Sequence, residues 1–199
     1  KRLYDLKFFN KYEAFFLITN DAELEKKKTI EPLYNIMKKN KKIGIISPCS
    51  KEWGEKKFLK KQKTKFFWFI HNHAYFLNKE FLNRIINPKS GYMNFLFDGS
   101  NFRGYGLESE LIAKAYANDF AAAITTSAYV EENENHLLNK HDLIKTETYS
   151  KNLQLLHKEG ISWLKKKYGF GNKWLLQNYV KLFYDQFFEN NPEQKRYKI

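Results

Sequence analysis

Residues 14–19 (AFFLIT) form a short apolar run that stops at the polar pair Asn20-Asp21. A run of that length predicts a buried strand whose C-terminal end delivers a carboxylate. Ile30, Leu33, Tyr34 and Met37 then recur at helical spacing. Thr29 stands where a cap belongs, and Pro32 falls in the first turn, where a missing N–H is tolerated. The lysines of residues 38–42 suit the end of that helix. Residues 43–47 (IGIIS) predict a second buried strand, stopped by Pro48. Strand, helix and strand in quick succession predict an α/β fold, Rossmann-like, with a mainly parallel sheet and flanking helices.

Further along, residues 51–65 are basic and polar around Trp53 and Gly54, and predict a loop or short helix. Residues 66–74 are rich in aromatics and predict a strand. Asn78 is placed to cap a helix that buries Phe81, Leu82, Ile85 and Ile86 and ends at Asn87-Pro88. Residues 94–98 (NFLFD) predict a brief strand. A glycine-punctuated loop, 99–106, leads into a helix at about residues 108–117, and residues 121–125 predict another strand. From residue 142 the pattern becomes helical. Leu153, Leu156 and Trp163 mark one helix, and Leu176, Tyr179, Val180, Phe183 and Phe187 mark a second, broken by Asn191-Pro192. This divides the chain into an α/β part, 1–140, and a C-terminal helical extension, 141–199.

Composition narrows the class without naming an activity. Of 199 residues, 43% are hydrophobic and 18% aromatic, which is the make-up of a folded chain and not of a disordered one. No apolar run approaches the length of a membrane span, and no secretory signal is visible. One cysteine, Cys49, excludes an internal disulfide and a cysteine-based zinc cluster, and fits a reducing cytoplasm. The formal charge of +13 leaves three partners open: nucleic acid, an anionic membrane face, or an anionic substrate such as a nucleotide diphosphate. A lysine-rich solvated surface without any such partner fits equally well.

Two places combine acids with a permissive backbone. Asp21 follows a predicted strand end, where open α/β sheets bind ligands, and a carboxylate there suits Mg2+ or Mn2+. An Asn-Asp pair in that place also makes an ordinary turn or helix cap. The second is the stretch from Phe97 to Tyr116. Gly99, Gly104 and Gly106 let the backbone approach a ligand closely. Glu108 and Glu110 open the following helix, where a carboxylate can serve as general base or simply as a cap. Asp98, Arg103 and Glu110 could equally form a structural ion-pair network around the loop.

These two stretches, in this order, resemble the second half of family-two glycosyltransferases of the GT-A fold. The family carries a DxD-like motif at a strand end, which FFLITND resembles, with Thr19 in place of the first Asp. The resemblance implies that Asp21 holds a divalent metal, Mn2+ or Mg2+, on the donor diphosphate, with neighbouring Asn20 on the donor or acceptor. Phe97-Asp98, Phe102, Tyr105-Gly106 and Glu108-x-Glu110-Leu111 resemble the family's later acceptor-side element. By that alignment Glu108 is the catalytic base. Asp98, Arg103, Gly104, Tyr105, Gly106 and Glu110 line the donor or acceptor site. The family's later metal-binding His falls on His136, with His141 as rival. Trp53 offers a stacking face for a sugar or a plain core residue, and His71 and His73 are placed to face the acceptor.

The resemblance implies an inverting transfer of a sugar from a nucleotide-diphosphate donor to a glycan or lipid-linked hydroxyl, in polysaccharide or cell-surface glycan synthesis, without nucleic acid as partner. It spans residues 12–136. The family's N-terminal half, which grips the nucleotide, has no counterpart before residue 14, so the chain is expected to be the acceptor-side part of a longer enzyme. The basic tail fits docking at the cytoplasmic face of a membrane. The alternative is a basic module for nucleic acid or membrane, motivated by lysine runs interleaved with Phe67, Trp68 and Tyr75. A third reading is a non-catalytic scaffold.

Overall fold

A computed structural model of the chain describes residues 1–19, 21–25, 28–51, 55–59, 63–71, 73–133 and 148–199. Asn20, Trp53, His136 and His141, four of the residues nominated above, lie outside the described residues.

The fold is mixed α/β. Its strands are β1 (Ala14–Ile18), β2 (Ala22–Leu24), β3 (Ile43–Ser50), β4 (Thr64–Phe66), β5 (Ala74–Asn78) and β6 (Ala121–Glu132). They form one sheet in the order β1-β5-β3-β6-β2, with β4 also paired to β6. The sheet is mixed where the sequence predicts a mainly parallel one. Only the central pair, β3 and β6, runs parallel, and the other four pairings are antiparallel. The chain has already reversed before β4: β4 runs against β6 and β5 against β3, so both lie antiparallel to the central pair, and β5 inserts between β1 and β3. The aromatic run of residues 66–74, which satisfies no single periodicity, is split between the end of β4, an irregular stretch and the start of β5.

β3 is buried over all eight residues and continues past Pro48, against the expectation that Pro48 ends it. The ladder with β6 shifts register between Pro48 and Cys49, which absorbs the missing N–H. β6 is twelve residues long, far beyond the five predicted, because Tyr129 and Val130 go on pairing with the end of β3 and Val130–Glu132 pair with β2 on the other edge. Residues 94–98, predicted as a strand, instead follow a 3-10 turn at Tyr92–Asn94.

The helices are α1 (Arg2–Asp5), α2 (Phe8–Lys11), α3 (Ile30–Lys39), α4 (Lys56–Leu59), α5 (Lys79–Ile85), α6 (Leu107–Ala117), α7 (Tyr149–Tyr168) and α8 (Lys173–Asn190). α3 buries Leu33 and Met37, one turn apart, and ends in Lys38 and Lys39 as its dipole favours. Asn78 caps α5, its side chain accepting from the Glu80 N–H at 2.7 Å. Thr148 and Asn172 cap α7 and α8 in the same way. α8 packs into the main core through Val180, Tyr184, Phe187 and Phe188, while Trp163, Leu164 and Leu176 form a second apolar cluster between the two long helices. Among the described residues no helix is long and apolar enough to cross a membrane.

Candidate functional site

The C-terminal end of β3 and the start of β5 enclose a group of buried polar side chains. Ser47, at the middle of β3, donates its hydroxyl to the Ala74 carbonyl at 2.8 Å. His71 is 3% exposed. Its Nδ1 accepts the His73 backbone N–H at 3.2 Å, which puts the ring proton on Nε2. That Nε2–H donates to the Pro48 carbonyl at 2.9 Å. Burial lowers the His71 pKa to about 4, so the ring is neutral over the physiological range.

Glu55, 2% exposed, lies 3.7 Å from His71 Nε2 and accepts the Ser50 N–H at 2.9 Å. Burial raises its pKa to about 7, against the pull of the Ser50 and His71 backbone donors. Glu55, His71 and Glu108 line one cavity of about 70 Å³, together with Lys173 and Gln177 of α8. The cavity is large enough for a few waters or one small polar group, and it is walled by Phe69 and Ile70.

Glu108 reaches this cavity from the first turn of α6. Gly106, at the N-cap with φ 81°, sets the turn that starts the helix, a conformation other residues resist. Lys173 closes an ion pair on the Glu108 carboxylate. Beneath them the Tyr75 hydroxyl is buried with no hydrogen-bond partner among the described residues. Burial, and then the charges of Glu108 and Glu55, push its pKa well above the usual phenol value.

Asp21 follows β1 at the same end of the sheet. Thr19 donates its backbone N–H to the His73 carbonyl at 2.9 Å, which ties the end of β1 to the start of β5. The Asp21 carbonyl accepts the Asn133 N–H at 2.8 Å, and Ala22 pairs with Glu132. His73 Nε2 sits 3.3 Å from the Glu132 carboxylate. The rings of His71 and His73 lie 4.7 Å apart, so a continuous row of buried imidazoles runs from the Glu132 side to the Glu55 side. Both histidines are buried where the sequence nominated them to face an acceptor.

Asp21 Oδ1 is buried and has no hydrogen-bond partner among the described residues. An ionised carboxylate oxygen in that condition is costly unless a cation or donor meets it. Among the described residues no group of three or more His, Cys, Asp or Glu side chains makes a ready metal cage.

The remaining nominated residues fasten the glycine loop to α7. Asp98 accepts from Ser100, from Trp163 Nε1 at 3.0 Å and from Lys167 at 2.9 Å. These contacts, led by the Ser100 hydroxyl, hold its pKa far below the usual carboxylate range. Glu110 accepts from Lys167 at 2.6 Å and Tyr168 at 2.9 Å. Arg103 meets Asn152 and Glu159. Gly104, with φ 79°, turns the loop, and the Tyr105 ring packs edge-on to His157 under the Lys173 ammonium. So Asp98, Arg103, Tyr105 and Glu110 are engaged in the ion-pair and packing network that the sequence left open as an alternative. Beside the loop, a groove of about 650 Å³ lined by Phe15, Phe16, Met93, Phe97 and Phe102 opens along β1, whose outer edge has no partner strand among the described residues.

Sequence reasoning did not nominate Ser47, Glu55, Glu132 or Lys173, and named Tyr75 only for the nucleic-acid or membrane alternative. For Glu55 a signal existed. It is an acid a few residues past a predicted buried strand, the same rule that nominated Asp21. Compared with known proteins, the sequence matches no family model and no curated protein.

Proposed function

We propose that the chain forms the acceptor side of a metal-dependent, inverting glycosyltransferase of the GT-A type, acting on a nucleotide-diphosphate sugar and a glycan or lipid-linked hydroxyl. The observation that carries the reading is the Glu108 carboxylate. It is buried at a helix start and faces a small polar cavity at the strand end, at the same end of the sheet as Asp21. The resemblance of residues 97–111 to the family's acceptor-side element, which singled out Glu108, supports the same reading.

Glu108 takes the proton of the acceptor hydroxyl as the oxygen attacks the anomeric carbon, and the diphosphate departs from the opposite face. Lys173 positions the carboxylate before the acceptor arrives, and the acceptor hydroxyl enters beside that ion pair. The apolar walls Phe69 and Ile70 exclude bulk water, which limits hydrolysis of the donor. Asp21, with His136 as its expected companion, is the residue to hold a divalent ion, which when bound supplies Lewis-acid stabilisation to the leaving diphosphate. His71 is neutral, and Glu55, raised to about 7, is in part protonated near neutral pH, which lowers the charge on the floor of the cavity.

The test is incubation of the protein with a panel of nucleotide-diphosphate sugars, Mn2+ and simple glycan acceptors, with release of nucleoside diphosphate as readout. Acceptor-dependent release that Glu108→Gln lowers by about 10²- to 10⁴-fold supports the assignment. Release that is unchanged in Glu108→Gln overturns it.

A further inference from the structure

The two long helices present a surface that the proposed chemistry does not use. Between Trp174 and Gln186 the exposed positions of α8 are Trp174, Leu175, Asn178, Tyr179, Leu182 and Gln186. None is charged, on a chain in which 29% of residues are. At 100° per residue they form one continuous stripe along the helix. The apolar members are large and open to solvent: Trp174 is 75% exposed and Leu182 66%. Charges return only beside and beyond the stripe, with Asp185 tied to Lys181 and Lys198, and Glu189 past its end.

The stripe begins at a basic corner. α7 ends in Lys165, Lys166 and Lys167, Gly169 turns the chain in the left-handed conformation, and Trp174 follows in the first turn of α8. Lys167 is taken up by Asp98 and Glu110, but Lys165 and Lys166 are exposed and have no ion-pair partner among the described residues. Tyr168, Phe170, Tyr179 and Phe183 stack through the corner and stiffen it. A rigid, uncharged face led by Trp and Tyr and flanked by unpaired lysines is complementary to an anionic bilayer surface. Aromatics and leucines enter the interface while ammonium groups meet the phosphates.

We propose that this face of α8, with Lys165 and Lys166, docks the protein peripherally on an anionic lipid surface. Lys173, next to Trp174, is the residue that holds Glu108. The cavity-lining Lys173 and Gln177 lie on the opposite side of α8 from the stripe, so docking leaves the cavity unobstructed. The inference stands on the exposed stripe and the basic corner, and holds whatever reaction the cavity performs.

The experiment is co-sedimentation of the full chain with vesicles of phosphatidylcholine alone and of phosphatidylcholine mixed with phosphatidylglycerol, at low and at physiological salt. The expected result is binding to the anionic vesicles only, weakened by salt. The double variant Trp174→Ser/Leu182→Ser should weaken it by roughly tenfold or more, with an unchanged melting temperature because both side chains are exposed. Lys165→Gln/Lys166→Gln should weaken it and flatten its salt dependence. Absence of binding at low salt, or equal binding by the Trp174→Ser/Leu182→Ser variant, overturns the proposal. So does a concentration-dependent dimer that this variant abolishes, since the face would then serve a second copy of the chain.

Discussion

The Lys173 ammonium closes on the Glu108 carboxylate across 65 residues of chain, inside a cavity whose other wall is His71 and Glu55. The contact fastens α8 to the first turn of α6 and leaves Glu108 with a cation as its neighbour. Both partners are more than half shielded from water, so loss of the cation strands a buried charge. Lys173→Met is expected to lower stability by about 1–2 kcal/mol, less than for a fully buried pair because Lys173 remains a third exposed. Urea melts compared with Glu108→Gln/Lys173→Met check this. If the double variant is no more stable than Lys173→Met alone, the stranded charge is not the cause.

Asp21 offers a sharper separation of roles. Its buried oxygen without a partner makes no contribution to the fold that Asn would forfeit. Asp21→Asn is therefore expected to leave the melting temperature without metal unchanged or slightly higher. In the same variant, the stabilisation that Mn2+ with a nucleoside diphosphate gives the wild type should disappear. At ligand about a hundredfold above its dissociation constant that stabilisation is about 2.7 kcal/mol. A thermal shift by Mn2+ and diphosphate that persists in Asp21→Asn would place the metal elsewhere.

What the sequence could show about these sites follows from how local each signal is. Asn78 as a cap, Leu33 and Met37 on the buried side of α3, and the break at Asn191-Pro192 are all decided within a few residues and are found in place, while Ile30, at the same helical spacing, lies exposed. The insertion of β5 between β1 and β3 depends on where the aromatic run of residues 66–74 breaks, and no periodicity marks that point. Asp21 beyond β1 and Glu108 in the first turn of α6 stand where the sequence places them, because an acid beyond a strand or at a helix start is a local pattern. Their surroundings were not. Lys173, Glu132 and Tyr75 reach the site through pairings distant in sequence, and the engagement of Asp98 and Glu110 by Lys167 needs α7 already folded onto the loop. The charge of +13 carried little about the site, whereas its absence along one face of α8 needed the burial pattern to be seen.

Gly160 sits in the middle of α7, where alanine would ordinarily be the better helix former. Here a Cβ would come within 2.3 Å of the Tyr105 ring. Gly160→Ala must displace either α7 or Tyr105, and with it the loop that Lys167 and Arg103 pin. The expected cost is about 1–3 kcal/mol, the range for overpacking. A denaturation midpoint that rises, as helix propensity alone would dictate, would show that the ring moves aside freely. Gly160→Ala/Tyr105→Ala should recover part of the loss.

Glu55 and His71 titrate in opposite senses, and their pairing hides both. Burial raises Glu55 from 4.5 to about 7. Between those values the folded chain holds a proton that the unfolded chain has released, so stability falls as pH rises through that window. Burial lowers His71 from 6.5 to about 4. Between those values the unfolded chain holds the extra proton, so stability climbs with pH. From about pH 4.5 to 6.5 the two slopes oppose each other, and the pair leaves the wild type nearly flat there. Removing either group uncovers the other. Glu55→Gln is expected to gain stability steadily from about pH 4 to 6.5, and His71→Gln to lose it from about pH 4.5 to 7, each on the order of 3 kcal/mol across its window. Unfolding free energies from urea melts at half-unit pH steps read both slopes directly. Parallel curves for the two variants and the wild type would mean that neither group changes its protonation on folding.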